Sequence, residues 1–203
     1  MLKVGITGGI GSGKSYVCRM LEDKGFPVFD CDREAYRLMH TQEALRRSLC
    51  QLVGREVYGN DGMLCKPVMS AFIRRNEESA AKVNALVHPR VRDAFIEMSA
   101  AYAALPPGSQ PACYVMECAL LYEAHFDELV DISVHVAATQ EVRIKRLMAR
   151  DQITPETARR WMALQMEEEE KRRRADIVVE NNGNMPPNLD ELLSVIRRSR
   201  NRI

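Results

Sequence analysis

The chain has 203 residues, of which 29 are basic and 28 acidic, so its formal net charge is +1. This balance gives no sign of a surface built for nucleic acid or membranes, and no stretch approaches the roughly 18 apolar residues of a membrane span. Six cysteines without a C-x-x-C pair indicate reduced thiols. With no signal peptide ahead of the first strand, we expect a cytoplasmic protein with one core domain.

Five short runs rich in apolar and β-branched residues alternate with helical patterns along the chain. Near-continuous apolar strands separated by helices are typical of parallel sheets that are covered on both faces. We therefore predict an α/β fold in three layers, with a five-stranded parallel sheet flanked by helices. The predicted strands are residues 3–7, 27–30, 113–118, 132–136 and 177–180.

The first predicted strand leads into a glycine-rich segment, GGIGSGKS at residues 8–15, that fits the pattern G-x-x-x-x-G-K-[ST]. A helical pattern follows, which is the context that a phosphate-binding loop requires; a plain glycine-rich turn is the alternative. In such loops the backbone amides point at phosphate oxygens, the lysine reaches the β- and γ-phosphates, and the hydroxyl ligates Mg²⁺. This predicts catalytic Lys14, Mg²⁺-binding Ser15, and nucleotide contacts from Gly9, Ile10, Gly11, Ser12, Gly13, Lys14, Ser15 and Tyr16.

Two aspartates, Asp30 and Asp32, follow the second predicted strand. Ligands of parallel sheets bind beyond the carboxyl ends of the strands, so both should lie on the edge that carries the phosphate loop. A carboxylate there can accept a proton from an attacking hydroxyl, hold Mg²⁺ through water, or cap the next helix. Asp32 is our candidate base, and helix capping is the main alternative.

Residues 32–108 form an insertion with helical patterns at 33–40, 43–53, 67–76 and 77–104. About 80 residues is too long for an ordinary crossover, which predicts a helical substrate-binding element; a larger structural crossover is the alternative. His88, which precedes Pro89, is a candidate for substrate contact, although a lone histidine is more often structural.

The third predicted strand ends in Glu117, which the topology should place beside the first strand. An acid at this position resembles the second acidic element of phosphate-loop enzymes, which orients Mg²⁺ through its water shell. Glu123 follows nearby, and a surface role for it is equally open.

Arg143, Arg146 and Arg150 follow the fourth predicted strand with the spacing of one helix face. A second helix is predicted to start at 154–156 and to run to about residue 174. Arginines on such a helical lid can neutralise a transferring phosphoryl group, and Arg146 is the best candidate, although a solvated face is the usual meaning of such charges. The run EEEEKRRR at 167–174 is predicted to be a solvated helix surface.

The order and spacing of these segments resemble the dephospho-coenzyme A kinase family. The resemblance covers nearly the whole chain, through GITGGIGSGKS, VFDCD, LVHP, ALLYE, RIKRLMARD, ALQ and KRRRADIVVENNG. It implies a phosphate-loop nucleotide-binding core at residues 1–31, 109–138 and 175–203. It also implies a helical domain for dephospho-coenzyme A at 32–108 and a mobile lid at 139–174.

The resemblance further implies roles for individual residues. Asp32 becomes the base, Arg146 the lid arginine, Arg143 a nucleotide contact, and Asn182 a contact to adenine. The substrate contacts would come from Asp32, His88, Glu117 and Leu120, with Glu117 also holding Mg²⁺ through water. The chain departs from the family pattern at Ala119, where a proline is usual, and at Cys31, where an alanine is common.

The implied reaction transfers the γ-phosphoryl group of Mg·ATP to the ribose 3′-hydroxyl of dephospho-coenzyme A. Nucleic acid, membrane and an obligate protein partner are not expected. A nucleoside or nucleoside-monophosphate kinase is the alternative enzyme, since it shares a core and a lid. A GTP-hydrolysing switch is disfavoured because the sequence contains no N-K-x-D segment.

Overall fold

The computed structural model describes residues 1–183 and 185–200. The chain divides into two compact units. One unit comprises Met1–Asp30 with Ser99–Ile203, and the other comprises Cys31–Met98. The predicted domain limits, 32–108 for the insertion and 139–174 for the lid, stay predictions.

The first unit is built on a five-stranded sheet in which every pairing between strands is parallel. The strand order is β2-β3-β1-β4-β5, which places the first strand at the centre. This confirms the predicted fold class. The strands are β1 Leu2–Thr7, β2 Val28–Asp30, β3 Cys113–Glu117, β4 Ile132–Ala137 and β5 Ile177–Glu180.

Nine α-helices accompany the strands in the described part of the chain. They are α1 Lys14–Glu22, α2 Cys31–Thr41, α3 Glu43–Val53, α4 Lys66–Ile73, α5 Glu77–Ala103, α6 Gln140–Asp151, α7 Pro155–Met162, α8 Glu168–Arg174 and α9 Asp190–Arg200. The helices of the second unit, α2 to the greater part of α5, match the predicted helical patterns to within a few residues. No helix among the described residues is both long and apolar enough to cross a bilayer.

The main core lies between the sheet and the helices α1 and α9. Alternate apolar side chains of the strands pack against apolar side chains of both helices, and burial of this surface is the chief stabilising contribution to the unit. Its fully buried members include Val4, Ile6, Val17, Leu21, Val115, Val134, Val136 and Leu192. The sheet and α1 therefore hold the glycine-rich loop between β1 and α1 on a rigid base.

Threonines start the two helices that follow β4. The Thr139 hydroxyl accepts a hydrogen bond from the Val142 amide at 3.4 Å, and Thr154 accepts one from Thr157 at 3.3 Å, with Pro155 as first helical residue. Both are the capping patterns that favour a helix start. The predicted start at 154–156 is confirmed.

The prediction of one helix running on to residue 174 is wrong. α7 ends at Met162 and α8 begins at Glu168. In the segment between them, the Gln165 side chain accepts the Ile10 amide at 2.8 Å, and the Met166 amide donates to Glu123 at 3.0 Å. The Met166 amide thus donates to a distant side chain and not to a helical carbonyl, and local sequence patterns reveal neither contact.

Candidate active site

The glycine-rich loop adopts a backbone that side chains would disrupt. Gly11 and Gly13 have φ angles of 83° and 92°, in the left-handed region that favours glycine. A Cβ atom on Gly9 would overlap the Arg143 guanidinium, and one on Gly13 would overlap the Asn181 amide. Gly13 is also the N-cap of α1, with no capping side chain found for it in the described structure. The first amides of α1 are therefore available for an anion.

Three predicted site residues meet at the start of α1. The Ser15 hydroxyl donates a 2.6 Å hydrogen bond to Oε1 of Glu117, and the Lys14 ammonium lies 3.9 Å from the same oxygen. Parallel pairing explains the meeting, because Glu117 at the end of β3 is in register with Ile6 of β1 and Asp30 of β2. A hydroxyl, a carboxylate and an ammonium thus share one point beside the phosphate loop.

Cys18, one turn further along α1, borders the same cluster. Burial raises the pKa of the Cys18 thiol, and the nearby Glu117 carboxylate raises it further. The thiol therefore stays protonated at neutral pH. Cys18 is a free cysteine, which agrees with the prediction of a reduced thiol.

Two arginines of α6 hold the outer side of the phosphate loop. Arg143 is 5% exposed and donates from Nε to the Ile10 carbonyl at 3.0 Å. Arg146 donates from Nη1 to the carbonyls of Gly11 and Ser12, at 3.2 and 3.0 Å. Arg150 instead pairs with Asp151 and is exposed. The arginine pattern therefore divides into two residues that contact the loop and one that faces solvent.

Asn181 is a site residue that the sequence analysis missed. It is buried, donates from Nδ2 to the Ser12 carbonyl at 2.8 Å, and accepts Arg146 Nη2 on its own carbonyl at 2.9 Å. Its neighbour Asn182 uses its side-chain oxygen to accept the Thr139 amide at 2.9 Å. The sequence signal for this residue is the pair Asn181 and Asn182 directly after β5. The sequence alone does not show which of the two side chains points toward the phosphate loop.

A groove opens beside the loop. It is lined by Gly13, Tyr16, Arg146, Asn181, Gly183, Met185 and Pro186. Tyr16 and Met185 are exposed there, so flat apolar surface is available next to backbone polar groups.

The charged run at 167–174 does not form only a solvated surface, so that prediction is wrong for two of its residues. Lys171 is fully buried, and its ammonium lies 2.9 Å from the Ala119 carbonyl and 3.0 Å from Glu123. Glu168 pairs with Arg143 and His135. Positions 168 and 171 share the inward face of α8, and the high charge of the run concealed this spacing.

The segment after β3 is held by these contacts. Ala119 offers its carbonyl to Lys171. Glu123 is half-buried against Lys171 and the Met166 amide rather than free at the surface. Leu120 lies between them and is half-buried.

Asp32 and His88 belong to the second compact unit. Asp32 is exposed and stands in the first turn of α2, one residue inside the helix start, where a carboxylate interacts favourably with the helix dipole. His88 is half-buried within α5, and burial lowers the pKa of its imidazole. His88 is therefore neutral at pH 7.

Comparison with a family model and with the sequences of known proteins gives the same family in both cases. The family model for dephospho-CoA kinase (CoaE) matches residues 2–187. The chain is 37% identical over 197 residues to a dephospho-CoA kinase of Bacteroides fragilis, covering 96% of this chain and 93% of that protein.

Two solved structures are similar along their full length. A crystal structure of a Thermus thermophilus protein has a TM-score of 0.75 and 31% identity, covering 100% of this chain and 97% of the other. Dephospho-CoA kinase from Campylobacter jejuni has a TM-score of 0.65, covering 99% and 98%, and at 19% identity it shows the shared fold. Because the family match spans most of the sequence, the chain belongs to the dephospho-CoA kinase family.

Proposed function

We propose that this protein transfers the γ-phosphoryl group of ATP to the ribose 3′-hydroxyl of dephospho-CoA, giving CoA and ADP, the last step of CoA biosynthesis. The observation that carries the proposal is the meeting of Lys14, Ser15 and Glu117 at the start of α1, where the N-cap Gly13 has a left-handed backbone and no capping side chain in the described structure. Membership of the dephospho-CoA kinase family supplies the acceptor.

The phosphate groups of ATP would lie against the loop between β1 and α1. Of the backbone amides of residues 11–15 that we predict to face the phosphates, the Ser12 amide donates to the Gly9 carbonyl in this structure. The others and the positive end of α1 would favour an anion there, and Lys14 would neutralise charge on the β- and γ-phosphates. Arg143 and Arg146 would act from the opposite side of the loop. Their guanidinium groups already contact its carbonyls, so they set its shape and add positive charge.

Mg²⁺ fits the donor atoms present. The Ser15 hydroxyl and the Glu117 carboxylate are hard oxygen donors 2.6 Å apart, and Mg²⁺ commonly takes one or two protein oxygens together with water and phosphate. In the described ranges no group of three or more His, Cys, Asp or Glu is arranged to hold a metal ion. A metal held jointly by the nucleotide and these two residues is the arrangement that we propose, with Glu117 acting through water.

Asp32 would orient the 3′-hydroxyl and accept its proton. Its exposed carboxylate can meet a ligand, and the D-C-D segment keeps both acids of the family pattern. His88, Glu117 and Leu120 are proposed to contact dephospho-CoA. The groove beside Gly13 and Asn181 is proposed for adenine, and Asn182 is proposed as a further adenine contact. Because phosphoryl transfer has a loose transition state, positioning and charge neutralisation should outweigh proton removal.

The test is release of ADP by the purified protein. We expect turnover with ATP, Mg²⁺ and dephospho-CoA, and none above background with adenosine, AMP or water as acceptor. Turnover of adenosine or AMP instead would favour the nucleoside or nucleoside-monophosphate kinase alternative. Full activity of the purified chain alone would also agree with the prediction that no protein, nucleic acid or membrane partner is needed. The cytoplasmic location stays a prediction from the sequence.

Lys14→Ala tests the nucleotide assignment. We expect a loss in kcat larger than the roughly 10²–10⁴-fold typical of a general base, because the lysine neutralises charge on the transferred group. Lys24→Ala, at an exposed lysine beyond the end of α1, is the matched control. Wild-type turnover in Lys14→Ala would reject the assignment.

A further inference from the structure

Glu168 of helix α8 forms an ion pair with Arg143, and Arg143 in turn contacts the phosphate loop. Oε2 of Glu168 accepts a hydrogen bond from Nη1 of Arg143 at 2.8 Å, and Oε1 lies 2.7 Å from Nε2 of His135. Arg143 is buried and His135 is completely buried, whereas the Glu168 side chain is one-quarter exposed. Glu168 thus pairs with two buried groups, the Arg143 guanidinium and the His135 imidazole, and it is the most exposed of the three side chains.

Arg143 is the link from Glu168 to the loop. Its Nε donates to the Ile10 carbonyl, and its guanidinium packs so closely on Gly9 that a Cβ there would overlap it. Burial lowers the pKa of Arg143, and the Glu168 carboxylate acts in the opposite direction. A guanidinium in this position needs a counter-ion, because an unpaired charge in a buried site is costly.

His135 fixes the orientation of the carboxylate. Its Nδ1 atom is buried and has no hydrogen-bond partner among residues 1–183 and 185–200. A proton on Nδ1 would be a buried donor without an acceptor, so the favoured tautomer carries its proton on Nε2 and donates to Glu168. Each carboxylate oxygen of Glu168 thereby has its own donor, one from β4 and one from α6.

We propose that Glu168 is a positioning residue for nucleotide binding, which holds Arg143 against the phosphate loop and is itself oriented by His135. The role rests on the proposed function of the loop. It extends that function to a helix whose sequence, with three acids followed by four bases, indicates only solvation. Because Glu168 acts through the loop, its effect should fall on ATP and not on the acceptor.

The test measures KM for ATP, KM for dephospho-CoA and kcat in Glu168→Gln and in Glu169→Gln. The two variants remove the same charge from neighbouring positions, but Glu169 is exposed. We expect Glu168→Gln to raise KM for ATP about tenfold, which corresponds to about 1.4 kcal/mol, while KM for dephospho-CoA stays within about twofold. Glu169→Gln should match the wild type. Equal constants in the two variants, or an equal rise in both KM values of Glu168→Gln, would overturn the proposal.

The His135 variants keep the test decisive if Glu168→Gln folds poorly, and a double variant tests whether Glu168 acts through Arg143. His135→Gln retains an N–H donor near the position of Nε2, whereas His135→Leu does not, so only the leucine variant should raise KM for ATP. In an Arg143→Met background, Glu168→Gln should add little, because residues that act through one another are non-additive. Additive effects would show that Glu168 does not act through Arg143. If Lys14→Ala also left ATP kinetics unchanged, the proposed function itself would fail, which separates the two outcomes.

Discussion

At the scale of single residues, the carboxylate of Glu117 shows how one side chain serves several neighbours. It accepts the Ser15 hydroxyl, lies near the Lys14 ammonium and borders the Cys18 thiol. The Ser15 proton is thereby directed at Glu117, which leaves the lone pairs of the hydroxyl oxygen available to a cation. The sequence predicted Glu117 and Ser15 independently, from a strand end and from a loop pattern, and the sheet register joins them.

Asp32 provides the prediction at this scale. We expect Asp32→Asn to lower kcat by roughly 10²–10⁴-fold, the usual contribution of a general base, and to leave the affinity for ATP unchanged. The asparagine keeps size and polarity but cannot accept the proton. Steady-state kinetics with both substrates, together with ATP titration, provide the measurement.

A matched variant is Asp23→Asn, at an exposed acid beyond the end of α1. It should keep wild-type kinetics. An unchanged kcat in Asp32→Asn would leave helix stabilisation as the role of this residue, since its first-turn position in α2 favours an acid for that reason as well.

At the scale of secondary-structure elements, α8 ties two parts of the first unit together. Its inward face contacts β4 and α6 through Glu168, and it contacts the segment after β3 through Lys171. Its outward face carries exposed pairs such as Glu170 with Arg173. Exposed pairs of this kind contribute little to stability, so the inward residues should dominate the contribution of the helix.

Lys171→Met should therefore destabilise the protein. The substitution keeps the volume but leaves the Glu123 carboxylate without its ionic partner, although the Met166 amide still donates to it. Breaking a buried ion pair costs about 3–5 kcal/mol. Since Glu123 is partly exposed, we expect the lower end of this range, a fall in melting temperature of roughly 6–12 °C for a chain of this size. Thermal denaturation followed by circular dichroism measures it.

Two variants make this comparison specific. Arg173→Met removes an exposed charge from the same helix and should shift the melting temperature by less than about 2 °C. Glu123→Gln combined with Lys171→Met should recover part of the loss, because the unpaired carboxylate is then gone. Equal melting temperatures for Lys171→Met and Arg173→Met would contradict the structural role of Lys171.

The elements also show where prediction from sequence succeeds. Every strand was placed to within a residue or so, because continuous apolar runs such as 132–136 have few other interpretations in an alternating pattern. The boundary between α7 and α8 was missed, since the acceptor at Gln165 and the donor at Met166 serve Ile10 and Glu123, which are far away in sequence. The burial of Lys171 was likewise not predicted, because a highly charged run is usually exposed. Whether a side chain is buried depends on which residues the rest of the fold packs against it.

At the scale of the whole molecule, each of the two compact units contains buried apolar residues. The second unit buries Leu38, Leu45, Leu49, Val57 and Val83, while the first buries the faces of its sheet. The predicted division of labour, with nucleotide on one unit and acceptor contacts from Asp32 and His88 on the other, stays a proposal. The strand order and the contacts of the phosphate loop join segments that are far apart in sequence. The pattern of any one segment therefore does not predict them.

Ligand-dependent stability tests the proposed ligands. A ligand that binds only the folded state at 100 times its Kd stabilises it by about 2.7 kcal/mol, or roughly 5–10 °C in melting temperature. We expect shifts of this order with Mg·ATP and with dephospho-CoA, and a smaller shift with Mg·GTP at equal concentration. Differential scanning fluorimetry gives the values, and stabilisation by GTP in preference to ATP would contradict the proposed nucleotide.

The contacts of the phosphate loop have a consequence for how the protein is made. Its backbone is held by Arg143, Gln165 and Asn181, at separations of 133, 155 and 169 residues along the chain. At about 5–20 residues per second, a ribosome needs roughly ten to thirty seconds after finishing the loop before Asn181 is synthesised. During that interval the nascent loop lacks at least one of these contacts, so its full set of holding contacts forms only after Asn181 has been synthesised, well after the motif itself.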